Sequence, residues 1–166
     1  MIPVLSIVGS QSGVGKTTIL CKIIRELKKR GYKVATIKHH KGDFEIDYPG
    51  KDTWKHFESG ADVVILASPT KLARIERLDK EYSLDEIISQ INNVDIIITE
   101  GYKMENKPKI EVLRKDVSKE LISKGEELIG VVTDFPIDKD IPQFSFEQVE
   151  DVVNLIENKF LKSKFN

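Results

Sequence analysis

One cysteine and three histidines in 166 residues leave no intramolecular disulfide and no Cys/His spacing of the structural-zinc kind. A reducing, cytoplasmic setting is expected. Net charge is also nearly absent, with 26 Lys and Arg against 27 Asp and Glu. The molecule as a whole therefore offers no field to draw in nucleic acid or an anionic membrane, and neither is expected as a partner. Long apolar runs are missing as well. The first one, Val4 to Val8, is far short of the ~20 residues that span a bilayer, has no basic stretch before it, and runs into a glycine-rich turn. It reads as a strand, not as a signal peptide. What is present is 40% hydrophobic and 32% charged residues in a chain of common single-domain size. One domain spanning 1–166 is the expectation.

Apolar periodicity alternates between period two and period 3.6 along the chain. After Val4 to Val8, Leu20, Ile23, Ile24 and Leu27 fall on one helical face of Thr17 to Arg30, and Gly31 stops that helix. Lys33 to Lys38 reads as a strand. Lys41 to Asp52, with Pro49-Gly50, reads as a loop, and Asp52 is placed to cap a short helix ending near Gly60. Asp62 to Ala67 is a continuous β-branched run, as expected of a strand covered on both faces, and Lys71 to Arg77 suggests an edge strand or hairpin arm. Ser83 and Glu86 form a capping box ahead of Leu84, Ile87, Ile88 and Ile91. Val94 to Thr99, Ile110 to Leu113 and Leu128 to Thr133 are further strands, with a short helix expected around Ser118 to Ser123 and a closing helix from Phe146 to about Leu161. This alternation predicts an α/β fold, a mostly parallel twisted sheet flanked by helices.

The chemistry concentrates in Ser10-Gln11-Ser12-Gly13-Val14-Gly15-Lys16-Thr17, between the first strand and the first helix. In a P-loop, glycines let successive N–H groups point at a phosphate, the helix N-terminus adds its positive end, the lysine reaches the β- and γ-phosphates, and the hydroxyl ligates Mg²⁺. Lys16 and Thr17 fill those roles, and the loop is expected to hold the nucleotide through Ser12, Gly13, Val14, Gly15, Lys16, Thr17 and Thr18. The pattern departs at its first position, which is Ser10, with Gly9 one residue early. Glu100, closing an apolar strand just before Gly101, fits the acid that approaches the metal or its water. It and Lys16 are the candidate catalytic residues. Asp43 and Asp47, on the loop after the second strand, are candidate metal ligands or plain loop carboxylates. His39 and His40 are adjacent and so point to opposite sides of an extended chain, which suits a polar, phosphate-facing loop better than a chelate. Cys21 is expected to pack as a small apolar side chain. Asp134 follows a strand, where P-loop GTPases place a carboxylate that accepts from guanine N1 and N2; because Thr133 directly precedes it, the Asn/Thr-Lys-x-Asp spacing is absent and spacing alone leaves the base open, but Asp134 is the nucleotide-binding residue expected to give a guanine preference.

Gly13-Val14-Gly15-Lys16-Thr17-Thr18, Thr36-Ile37-Lys38-His39, Asp47-Tyr48-Pro49-Gly50-Lys51-Asp52-Thr53, Gly60-Ala61, Thr99-Glu100-Gly101-Tyr102-Lys103 and Pro108-Lys109-Ile110-Glu111 together resemble the molybdopterin-guanine dinucleotide biosynthesis protein B family. The resemblance covers roughly residues 3 to 134 and departs where Lys41 and Gly42 follow His40 in place of a richer histidine cluster. It implies a dimeric GTP-binding accessory protein with Mg²⁺ and at most a slow GTPase activity. Such a protein assists the nucleotidyltransferase that joins GMP to molybdopterin, and the pterin or its guanine dinucleotide form is a possible ligand. Two other P-loop readings compete. A small-molecule kinase commonly carries a lid with arginines, yet Arg25, Arg30, Arg74, Arg77 and Arg114 do not cluster. A metallochaperone GTPase would need a His/Cys relay, which Cys21 and scattered histidines do not form.

Overall fold

In a computed structural model, residues 1–161 are described, and they divide into two compact units. The larger comprises residues 1–39 and 84–161; the smaller, 40–83, is inserted between them in sequence.

The larger unit is built on a six-stranded sheet in the order β2-β5-β1-β6-β7-β8: β1 Val4–Val8, β2 Val34–Lys38, β5 Ile96–Glu100, β6 Lys109–Val112, β7 Leu128–Val132 and β8 Gln143–Phe144. Every pairing in it is parallel. Parallel neighbours are buried on both faces, which is why β1, β5, β6 and β7 consist almost wholly of buried residues. Edge strand β2, with one partner, alternates instead and exposes Thr36 and Lys38. One polar pair interrupts the apolar interior: the buried Thr99 hydroxyl donates to Ser6 Oγ at 2.9 Å, so neither oxygen is orphaned.

Helix α1, Lys16–Lys29, buries Ile19, Leu20, Ile23 and Leu27 against this sheet, each side chain contributing about 1.5–3 kcal/mol of transfer free energy. Cys21 lies off that stripe and is exposed, contrary to the expectation of packing. Helix α4, Val149–Ile156, adds Val152, Val153 and Ile156 to the same core and passes into a π-helical turn over Glu157–Leu161, so the closing helix begins later than its sequence suggests. Helix α3, Leu84–Ser89, likewise stops short of Ile91. No helix forms at 118–123. That segment is an irregular loop whose Ile122 and Ser123 N–H groups donate to the carboxylate of Glu111 at 2.8 and 2.9 Å, and a backbone engaged this way is not free to close helical turns.

The smaller unit holds α2, Asp52–Glu58, and an antiparallel hairpin of β3, Val63–Ala67, with β4, Leu72–Glu76. The Lys71 to Arg77 segment is thus a hairpin arm. Its partner β3 is not the doubly covered strand its apolar run implies, for only Val64 is buried. Asp52 sits in the first turn of α2, and the cap position is Lys51, with no side-chain cap bond.

Candidate nucleotide-binding site

In the sheet β1 lies between β5 and β6, and the chain passes from β5 on one side of it to β6 on the other, so the strand order reverses there. In parallel α/β sheets, ligands bind beyond the carboxyl ends of strands at such a reversal. Residues 9–15 leave β1 at that end and enter α1 through Gly13 at φ 82° and Gly15 at φ 104°, left-handed values that glycine adopts without strain. The early glycine is explained by packing: a Cβ on Gly9 would stand 2.8 Å from Val14 Cγ2 and 3.0 Å from the Val112 carbonyl. Ser10, in the position the pattern gives to glycine, donates from Oγ to Ser118 Oγ at 2.6 Å.

The N-terminus of α1 differs from those of the other helices. α2, α3 and α4 each carry acidic residues in the first turn, whereas α1 has none; like α2 and α4 it has no side-chain cap bond. Its first helical bond is Ile19 N–H to Gly15 O, so the N–H groups before Ile19 precede the ladder. An uncapped helix end with a left-handed glycine entry suits an anion. Ser12, Gly13, Thr17 and Thr18 are exposed there, while Val14 is buried and anchors the loop to the core.

Lys16 reaches back across the loop, its Nζ donating to Gln11 O at 2.7 Å. Burial holds its pKa below the ordinary lysine value of 10.5; Glu100 opposes that shift, and Lys38 and Lys103 add to it. Lys38 lies 3.4 Å from Glu100 Oε1. Positive charge therefore gathers around one carboxylate, an arrangement that an incoming polyphosphate would relieve. Across the β1–β5 pair, Thr17 Oγ1 donates to Glu100 Oε1 at 2.8 Å. A hydroxyl and a carboxylate in contact are the hard oxygen donors that suit Mg²⁺, which keeps several waters and takes its remaining ligands from phosphate. The donor set fits.

Of the sequence candidates, the larger unit brings together Ser12 to Thr18 and Glu100. Asp43 and Asp47 belong to the smaller unit, where Asp47 Oδ1 accepts the Tyr48 N–H at 2.8 Å. The His39 and Tyr102 rings meet at a tilt of 34°, their centroids 4.7 Å apart. Asp134 is exposed just beyond β7, and its Oδ1 accepts the Lys115 N–H at 2.8 Å. Sequence reasoning missed Arg114 and Phe146. The guanidinium of Arg114 lies 4.3 Å from the Phe146 ring centroid, and both border Gly15, where a Cβ would meet Phe146 Cε1 at 3.0 Å and an Arg114 nitrogen at 3.4 Å. Lys38 and Lys103 are visible in the sequence as a strand end and within the resemblance motifs, without a role of their own. Glu111 and Lys109 were visible the same way, and both prove to be buried organisers: Glu111 holds the 122–123 backbone and Lys109 pairs with Glu127 at 2.8 Å.

Comparison with known proteins gives a consistent picture. The family model for molybdopterin guanine dinucleotide synthesis protein B matches residues 4–134. The molybdopterin-guanine dinucleotide biosynthesis adapter protein of Haemophilus influenzae is 36% identical over 95% of this chain and 89% of its own length. Its Escherichia coli K12 counterpart is 32% identical over 94% and 92%. A crystal structure of molybdopterin-guanine biosynthesis protein B superposes with a TM-score of 0.73 at 33% identity, covering 94% of this chain and 99% of that one. With a P-loop geometry in place and nearly the whole chain matched, the protein belongs to the molybdopterin-guanine dinucleotide biosynthesis protein B family.

Proposed function

We propose that the chain binds a Mg²⁺-guanine nucleotide at the loop 10–18 and acts in the cytoplasm as an accessory to the nucleotidyltransferase that attaches GMP to molybdopterin. The observation that carries this is the Thr17–Glu100 hydrogen bond at 2.8 Å with Lys16 folded over the loop. Lys16 neutralises phosphate charge, Thr17 and Glu100 hold the metal or its water, and the N–H groups of Gly13 to Thr18 surround the phosphates. When bound, the metal spreads charge away from the β- and γ-phosphates. Glu100 orients a water, while the sequence places no glutamine in the water-orienting position and no arginine finger, a contribution worth on the order of 10³–10⁵ in rate. Turnover is accordingly slow. Asp43 and Asp47, molybdopterin and its dinucleotide remain proposed ligands or contacts, and the chain works as one domain with residues 40–83 an insertion within it.

The hairpin supports a homodimer. Ile65, Leu66 and Leu72 are more than half exposed, and neither β3 nor β4 has a second strand partner among the described residues. Such edges pair readily with a copy of themselves.

Calorimetry with Mg-GTP on wild type and Lys16→Ala, alongside a circular-dichroism melt, tests the site. Binding lost with an unchanged melt is expected; unchanged affinity removes the assignment. Single-turnover hydrolysis faster than about one per second, within the kinase range, would contradict an accessory role.

A further inference from the structure

The turn after β6 is fastened to the phosphate loop by several independent contacts. Arg114 Nε lies 3.5 Å from Val14 O, Gln11 Nε2 donates to Val117 O, and Ser10 Oγ donates to Ser118 Oγ. Within the turn, the N–H groups of Val117 and Ser118 both donate to Arg114 O, at 2.9 and 2.8 Å, and the Arg114 N–H returns to Ser118 O at 3.2 Å. Asp134 clasps it from the neighbouring strand end through the Lys115 N–H. At the tip stands Asp116, exposed and without a hydrogen-bonded or ionic partner among the described residues.

We propose that this turn reads the nucleotide base, with Asp116 as the guanine-recognising carboxylate and Asp134 as a positioning residue that holds the turn. The inference rests on nucleotide binding at the P-loop. Leu113-Arg114-Lys115-Asp116 departs from Asn/Thr-Lys-x-Asp at its first residue but keeps a cation in the second place and an aspartate in the fourth, directly after the strand that pairs with β1. The cation of that spacing faces the phosphate loop, since Arg114 lies 3.5 Å from Val14 O, borders Gly15 and is braced by Phe146. Phosphates on the loop and a base beside this turn then belong to one ligand. A carboxylate accepts the N1–H and N2–H donors of guanine, whereas adenine offers the lone pair of its N1 to the same oxygens. Asp134 has one oxygen already committed to the Lys115 backbone, while both oxygens of Asp116 are open.

The test exchanges the hydrogen-bond polarity of each carboxylate in turn. Xanthine carries a carbonyl at C2 where guanine carries an amino group, so an amide side chain, which can donate, favours it. Affinities for Mg-GTP, Mg-XTP and Mg-ATP are measured by calorimetry on wild type, Asp116→Asn and Asp134→Asn. Wild type should prefer GTP. Asp116→Asn should lose about ten- to hundredfold for GTP and reverse in favour of XTP. Asp134→Asn should weaken GTP less and leave the base preference in place. A reversal at Asp134→Asn in place of Asp116→Asn overturns the assignment, as does an Asp116→Asn protein that still prefers GTP. Equal wild-type affinity for all three also overturns it while leaving the P-loop reading intact. Absence of any triphosphate binding removes that reading itself and this inference with it.

Discussion

Strands β3 and β5 look alike in sequence and end differently. Val63–Ala67 is apolar throughout, while Ile96–Glu100 gives up its last two positions to polar residues. Yet all of β5 is buried, and β3 buries Val64 alone. β5 lies between β2 and β1 with its backbone bonded on both sides; β3 has β4 and nothing further among the described residues. An apolar run thus states that cover is needed, and the number of partners decides whether the chain supplies it. The strand with cover ends at a site, through Glu100. The strand without it leaves apolar surface exposed, the face proposed to meet a second copy.

The largest effect should come from deleting core volume. Ile98→Ala should cost about 2–5 kcal/mol in urea unfolding, while Ile65→Ala, at protein concentrations low enough to keep the chain monomeric, should stay within about 0.5 kcal/mol. Similar losses at both would break the contrast. Next come the strand ends. Glu100→Ala should lower Mg²⁺-dependent triphosphate affinity by the roughly 1.5–3 kcal/mol of a charged hydrogen bond, and Glu76→Ala, closing β4, should leave it unchanged. Calorimetry with and without Mg²⁺ separates the two. Leu66→Asp should raise a dimer dissociation constant at least tenfold, about 1.4 kcal/mol, without altering the monomer's unfolding; light scattering that finds wild type monomeric at micromolar concentration would count against the hairpin interface. The smallest effect is a titration. Free Lys16 should deprotonate below 10.5 because burial outweighs the attraction of Glu100, so phosphate affinity falls as pH rises through that lowered value. Glu100→Gln removes the raising charge and should move Lys16 further down, while bound triphosphate moves it up. An upward shift on Glu100→Gln, followed by NMR of labelled lysine side chains, would be the wrong sign.

Much of the site was legible because its chemistry is local. Gly13, Gly15, Lys16 and Thr17 sit within a single turn, and Glu100 was marked by a strand that ends in an acid before Gly101. Arg114 and Phe146 were not legible, since nothing local distinguishes a guanidinium that stacks on a ring 32 residues away in sequence from one in solvent. The loop at 118–123 departs from its sequence pattern for a related reason. Its local pattern permits a helix, and the buried carboxylate of Glu111 draws its backbone N–H groups elsewhere.

The sequence by itself determined the α/β alternation, the phosphate loop and the family, because periodicity, glycine conformation and motif spacing are properties of neighbouring residues. Tertiary structure alone decided that β5 and not β2 lies beside β1, that the insertion carries an exposed hairpin, and that the 114–118 turn is fastened to the phosphate loop. Those outcomes depend on which distant surfaces meet, and burial and polar satisfaction are settled only between segments that have already come together.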